Sequence, residues 1–253
     1  MENLSLRNID VEYRVKKGWF KAVEDLSYNI KRGEFICIIG RSGCGKTTTL
    51  YAIAGLNPIR RGEILLDDEL IKGPGAERGM VFQNDSVFPW LTVEQNVMYG
   101  LKLKRMRKAE ISQIVEHYLS LVGLWEARGL YPRELSGGMR KRVDLARAFA
   151  NNPEILLMDE PFGNLDAMTK EALQASILEL WQESQKTVIF VTHDVEEALF
   201  LGQQTIVMVG PPGRIKSVTQ VPFGYPRDIS LKIKPEFLAL RAELMKSLAS
   251  PGK

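Results

Sequence analysis

The sequence predicts an α/β fold with three parts: a mainly parallel sheet covered on both faces, an N-terminal antiparallel β region, and an inserted helical subdomain. Three observations point there. The apolar runs Ile155-Leu156-Leu157-Met158, Thr187-Val188-Ile189-Phe190-Val191 and Thr205-Ile206-Val207-Met208-Val209 have the length of buried strands, and a helical stretch from Lys170 to Glu183 lies between the first two. A fourth such run, Phe35-Ile36-Cys37-Ile38-Ile39, leads into a glycine-rich turn and then a helix. Residues 92–150, by contrast, carry helical periodicity alone.

Taken in order, residues 4–12 alternate apolar and polar as a half-exposed strand does, and Ala22 to Ile30 repeats the pattern. Arg14 to Phe20 reads as a basic turn around Gly18, and Lys31-Arg32-Gly33-Glu34 as a tight turn into the next strand. Thr48 to Ala54 reads as a helix stopped by Gly55 and Pro58; Glu63 to Asp67 and Gly79 to Gln83 read as short strands. The helical block breaks near Gly100, Gly123 and Gly129 through Pro132, and Ile111, Ile114, Val115, Tyr118, Leu119 and Val122 give it one apolar face. Lys102, Lys104, Arg105, Arg107 and Lys108 read as a solvated basic entrance. From Pro211 the chain is turn-rich and closes on an amphipathic helix over Pro235 to Leu248. The α/β core is thus expected over 1–91 and 151–253, and the inserted subdomain over 92–150.

Composition narrows the class. With 34 basic against 31 acidic residues, the net charge of +3 is too mild to indicate nucleic acid. No apolar run approaches the roughly 18 to 20 residues of a membrane span, and Met1 to Ser5 lacks the basic and apolar regions of a signal peptide. Cys37 and Cys44 are too few for a disulfide scaffold and read as reduced thiols of a cytosolic protein.

Three constellations carry chemistry. Gly40-Arg41-Ser42-Gly43-Cys44-Gly45-Lys46-Thr47 fills every fixed position of the phosphate-binding pattern G-x-x-x-x-G-K-[ST] between a strand and a helix. Backbone N–H groups of that turn and the helix N-terminus suit an anion; Lys46 would reach the β/γ-phosphates and Thr47 would ligate Mg²⁺. The fold is therefore expected to be a P-loop NTPase core. Second, four apolar residues end in Asp159 and Glu160. Alternation along a strand would turn Asp159 toward the metal and Glu160 toward an attacking water. Third, Leu135-Ser136-Gly137-Gly138-Met139-Arg140-Lys141-Arg142 has a serine N-cap and two glycines opening a helix with Met139, Val143, Ala146 and Ala150 on one face, a second anion-binding element.

Together these motifs resemble the nucleotide-binding subunit of an ATP-binding cassette (ABC) transporter over nearly the whole chain. Leu135-Ser136-Gly137-Gly138 is similar to that family's signature, Gln83 to its Q-loop glutamine, Gly163-Asn164-Leu165-Asp166 to its D-loop, and His193 to its switch histidine. Lys141 departs from a frequent glutamine and Asn164 from a small residue. Tyr13 matches the aromatic that stacks on adenine, with Trp19 and Phe20 as alternatives on the same segment.

The resemblance implies two cofactors, ATP and Mg²⁺, and two subunits that sandwich two ATP molecules, a homodimer here. Gly40 to Thr48, including Thr48 itself, would cradle the phosphates; Thr47, Gln83 and Asp159 would manage Mg²⁺ directly or through water. Glu160 would act as general base, with Lys46, Gln83 and His193 completing the catalytic set. Ser136, Gly137 and Gly138 would meet the partner's γ-phosphate, and Asp166 would couple the two sites.

It also implies separate permease subunits docking on Asn84 to Leu91, a solute-binding protein acting indirectly, no nucleic acid, and a peripheral place on the cytoplasmic face of the inner membrane. The Phe88-Pro89-Trp90-Leu91-Thr92 run and Pro212-Gly213-Arg214-Ile215 resemble importers of nitrate, sulfonate and taurine. The alternatives are a soluble ATPase of the same superfamily, which would carry a long coiled coil or two cassettes, and a non-hydrolysing module, which would lack Glu160 or His193.

Overall fold

The computed structural model describes residues 2–16, 18–163 and 165–249. A long hairpin, β1 (Glu2–Val15) and β2 (Gly18–Lys31), opens the chain. It is followed by β3 (Phe35–Gly40), α1 (Lys46–Ile53), β4 (Arg61–Leu66), β5 (Glu69–Leu70) and β6 (Arg78–Val81). Three helices come next: α2 (Val93–Leu103), α3 (Lys108–Leu121) and α4 (Gly137–Ala150). The chain then returns to alternation with β7 (Ile155–Asp159), α5 (Ala167–Ser184), β8 (Thr187–Thr192), α6 (Val195–Leu201), β9 (Gln204–Val209), β10 (Arg214–Gln220) and α7 (Pro235–Ala249).

The strands form two sheets. One is antiparallel in the order β2-β1-β4-β5; the other runs β10-β9-β3-β8-β7-β6, parallel throughout except for the edge strand β10. Every residue of β3, β7 and β8 is buried, as continuous apolar runs in a doubly covered sheet require. Alternation along these strands divides the core in two. Phe35, Cys37, Leu156, Met158, Val188 and Phe190 join the side chains of the helices on one face. Ile36, Ile38, Ile155, Leu157, Ile189 and Val191 join α1 and the antiparallel sheet on the other. Each such side chain contributes about 1.5–3 kcal/mol by leaving water.

Four local expectations need correction. The strand expected to be half-exposed is β1, whose Asn3, Ser5 and Asp10 are covered as well as Leu4, Leu6, Ile9 and Val11, because those polar side chains bond Thr187, Asn29 and the Asp25 N–H. Most of the segment read as a basic turn is strand, because Tyr13 pairs with Phe20, Arg14 with Trp19 and Val15 with Gly18 across the hairpin. Gly100 does not break α2. A Cβ there would lie 1.9 Å from Asn151 Oδ1, so the glycine permits the close approach of α2 to the end of α4. Finally, β10 lies within the segment read as turn-rich; its mixed, largely polar residues suit an edge strand and form no apolar run.

In α3, Ile111, Val115, Leu119 and the following Val122 are buried, with Ile114 and Tyr118 packed beside them. Lys102, Lys104, Arg105, Arg107 and Lys108 are exposed at the α2–α3 junction. Cys37 and Cys44 are free thiols, both buried.

Candidate functional site

The site is built at the ends of three neighbouring parallel strands, β3, β8 and β7. At the end of β3, a Cβ on Gly40 would lie 2.4 Å from Cys44 Sγ and 2.6 Å from Met208 O, so only glycine lets the loop fold back over the sheet. Gly43 and Gly45 have φ of +80° and +95°, and α1 begins at the next residue. Arg41, Ser42 and Gly43 are exposed, whereas Cys44 is 1% exposed beneath them. Lys46 is 5% exposed, yet its Nζ donates to Gly40 O at 2.8 Å and Arg41 O at 3.3 Å. These bonds hold the loop closed and keep the ammonium beneath it.

Asp159 ends β7 and is 2% exposed. The Thr47 hydroxyl donates to its Oδ1 at 2.9 Å. Burial pushes the Asp159 carboxyl above its ordinary pKa and neighbouring Glu160 adds to this, while hydrogen bonds from Thr47 and Tyr51 and the charge of Lys46 oppose it. A cation beside this carboxylate would therefore be bound with favourable charge.

Glu160 does not continue the strand. Its φ of +40° is left-handed, a conformation that costs a non-glycine residue about 1–3 kcal/mol. Its N–H donates to Val191 O at 2.9 Å. The separation of the two carboxylates thus arises from this turn, and not from strand alternation. The turn sets Glu160 Oε2 2.9 Å from His193 Nδ1 and Oε1 3.9 Å from Lys46 Nζ. His193 follows β8 directly and is 62% exposed, so its imidazole borders open space on one side and Glu160 on the other.

Gln83 leaves β6 with its side chain exposed, and its Nε2 lies 3.7 Å from the place of a Cβ on Gly163. Among the described residues it makes no hydrogen bond to Thr47 or Asp159. Its backbone is held by α4. Lys141 Nζ donates to Phe82 O at 2.8 Å and Gln83 O at 3.1 Å, Arg140 Nε to Asp85 Oδ2 at 2.6 Å, and Arg147 Nη1 to Ser86 O at 2.8 Å. Lys141 was legible only as a departure from a pattern. The missed signal is its spacing, because Gly138, Lys141, Leu145 and Ala148 form one buried stripe of α4. Burial lowers its ammonium pKa, and the two carbonyls take up its protons' hydrogen bonds.

Ser136 caps α4 by accepting from Met139 N at 3.2 Å. This helix N-terminus faces the start of α5. A Cβ on Gly137 would lie 4.0 Å from Leu165 Cδ2, and one on Gly138 would lie 2.4 Å from Thr169 Cγ2. Asp166 caps α5, accepting from Thr169 N at 3.0 Å and Thr169 Oγ1 at 2.6 Å. Ser136, Gly137, Gly138 and Asp166 thus form a second cluster beside the start of α5. Asn164 lies outside the described residues.

Tyr13 reaches the loop: its hydroxyl donates to Thr48 Oγ1 at 3.3 Å and accepts from Asn57 Nδ2 at 2.7 Å. Trp19 and Phe20 lie on the partner strand, 60% and 45% exposed, and Arg60 stacks on Trp19 at 5.6 Å. His117, outside the site, pairs with Glu183 at 2.7 Å on the surface.

The Thr47–Asp159 pair presents hard oxygen donors at one point beside the loop. That donor set fits Mg²⁺, which usually takes one or two protein oxygens together with substrate phosphates and water.

Comparison with known proteins agrees with this geometry. Residues 23–163 match the ABC transporter family. The chain is 44% identical over 250 residues to a taurine import ATP-binding protein of Roseobacter denitrificans, covering 97% of this chain and 93% of that one. It is 43% identical over 233 residues to a nitrate import ATP-binding protein of Synechococcus elongatus, covering 90% and 85%. Its fold matches the dimeric post-hydrolysis structure of the ATP-binding cassette MJ0796 bound to ADP and Pi. The TM-score is 0.77 at 31% identity, over 87% of this chain and all of that one.

Proposed function

The chain belongs to the ABC transporter family, and from that premise we propose that it is the ATP-hydrolysing subunit of an importer for a small anion of the taurine, sulfonate or nitrate kind. The observation that carries the reading is the convergence of Lys46, Thr47, Asp159, Glu160 and His193 at the ends of three adjacent strands. In this reading the N–H groups of residues 43–48 and the Lys46 ammonium hold the triphosphate, and Tyr13 stacks on the adenine. Thr47 and Asp159 would hold Mg²⁺, with Gln83 contributing from the segment that Lys141 anchors. Bound there, the metal would supply positive charge against the phosphate oxygens.

Glu160 accepts the proton of the attacking water, and His193, bonded to that carboxylate, keeps water and γ-phosphate in line. The cluster at Ser136, Gly137 and Gly138 serves the ATP of a second copy of the chain, and Asp166 carries the state of one site to the other. Two observations support that division: the signature cluster faces the start of α5, and the cassette of similar fold is dimeric.

Among the described residues no helix is long and apolar enough to cross a membrane, so in this reading separate permease subunits supply the path. Their docking place is the Asn84 to Leu91 segment. Trp90 in this segment and Leu103 at the end of α2 are 69% and 70% exposed, and Phe88 packs on Tyr99 at 4.8 Å. The adjoining groove, about 700 Å³ and lined by Met80, Phe88, Tyr99, Leu103 and Pro153, is of a size for one apolar helix end. A solute-binding protein acts one step removed, and the subunit sits peripherally on the cytoplasmic face of the membrane.

Uptake of labelled taurine, an alkanesulfonate and nitrate, in cells whose own copy carries Glu160→Gln, tests the transport reading. Uptake of one of them is expected to fall at least tenfold. Unchanged uptake of all three would overturn the solute class.

A further inference from the structure

Behind His193 lies a set of charged groups that phosphate binding does not use. Lys170, at the end of the first turn of α5, sets its Nζ 2.8 Å from Glu197 Oε1 and 3.5 Å from Asp194 Oδ2. Glu197 is 4% exposed, and its Oε2 accepts the Thr192 hydroxyl at 2.5 Å. That same hydroxyl oxygen accepts from Asp194 N at 3.0 Å, and Asp194 Oδ1 accepts from Glu196 N at 2.8 Å to cap α6. The residues on both sides of His193 are therefore tied into one network. Another cation faces the same helix, Lys232, but it takes Glu196 at 3.3 Å and Gln174 at 2.9 Å. Glu197 and Asp194 are left to Lys170.

We propose that Lys170 is a positioning residue for His193: through Glu197, Thr192 and Asp194 it fixes the backbone turn that aims the imidazole at Glu160 and the reacting phosphate. The proposal rests on the reading of His193 given above. Its geometry also names what moves the histidine. Lys170 N donates to Asp166 O at 2.9 Å in the first turn of α5, and Asp166 holds the Thr169 side chain against which Gly138 packs. A displacement of the start of α5 reaches the His193 turn through one ammonium group. Burial pushes the Glu197 carboxyl above its ordinary pKa, and Lys170 and Thr192 act against that rise, so the network depends on the lysine charge.

The test is steady-state ATP hydrolysis by the purified full chain in a double-mutant cycle. Lys170→Met is expected to lower kcat about 10- to 100-fold, the range for a misplaced catalytic group, with KM for ATP unchanged. Lys170→Arg should restore most of the rate. In a His193→Ala background, Lys170→Met should cost nothing further, because a residue acting through the imidazole has nothing left to position.

Where Lys170→Met alone does not fold, Lys170→Met/Glu197→Gln removes both charges and retains an acceptor for Thr192; it is expected to show the same loss and the same dependence on His193. An equal loss in both backgrounds, or no loss at all, would overturn the proposal while leaving the ATPase reading intact. A His193→Ala chain with full kcat would overturn the reading of His193 and the proposal with it.

Discussion

Glu160→Gln is expected to lower kcat for ATP hydrolysis by roughly 10²–10⁴-fold, the usual contribution of a positioned general base. The substitution keeps the size of the side chain and leaves an oxygen or amide to meet His193 Nδ1, now at 2.9 Å from Glu160 Oε2. It also keeps the left-handed turn, whose backbone N–H is anchored on Val191 O. Only the capacity to take a proton is lost. Affinity for ATP should therefore stay within about threefold of the unmodified chain, since Lys46 and the loop amides are untouched. Phosphate release at saturating MgATP and nucleotide titration by calorimetry together separate the two effects. A kcat within threefold of the unmodified chain would remove Glu160 from the mechanism.

Lys46→Ala should act on the other quantity. The Lys46 ammonium is 5% exposed and poised under the loop by two carbonyls, so its desolvation is already met before nucleotide arrives. Hydrogen bonds to charged groups are worth about 1.5–3 kcal/mol each, which corresponds to an affinity loss of roughly 10- to 100-fold. Gly40 O and Arg41 O would also lose their donor, loosening the loop that presents the amides. Calorimetric titration with ATP should show the loss even with hydrolysis blocked by Glu160→Gln. Equal affinity in both chains would mean that the triphosphate does not lie over this loop.

Much of the fold was legible because its information is local. The residues of β3, β7 and β8 are apolar one after another, and that is what a strand buried on both faces demands. The phosphate loop was legible for the same reason, since Gly40 makes room for Cys44 four residues on and Gly43 and Gly45 take left-handed φ within the turn itself. Features set by distant partners were not. Gly100 reads as a helix break until Asn151 is placed against it. The strand β10 has no pattern of its own and is defined by the ladder it makes with β9.

The site follows the same rule. Asp159 and Glu160 were found as a pair, but the left-handed turn at Glu160 depends on Val191, which comes from another strand. Lys141 and Lys170 were invisible as functional residues, because their partners are carbonyls and carboxylates of other segments. A lysine on a helix reads as solvated until the surface opposite it is known.

A site that powers a membrane permease should carry that permease with it through purification. The direct measurement is purification of the tagged Glu160→Gln chain from native membranes in ATP and Mg²⁺, with identification of its partners by mass spectrometry. A multi-span permease is expected in stoichiometric amount, lost when exposed Trp90 and Leu103 are both changed to glutamate. Recovery of only soluble nucleic-acid-binding or ribosomal proteins would contradict the transport assignment and leave an ATPase that serves another partner.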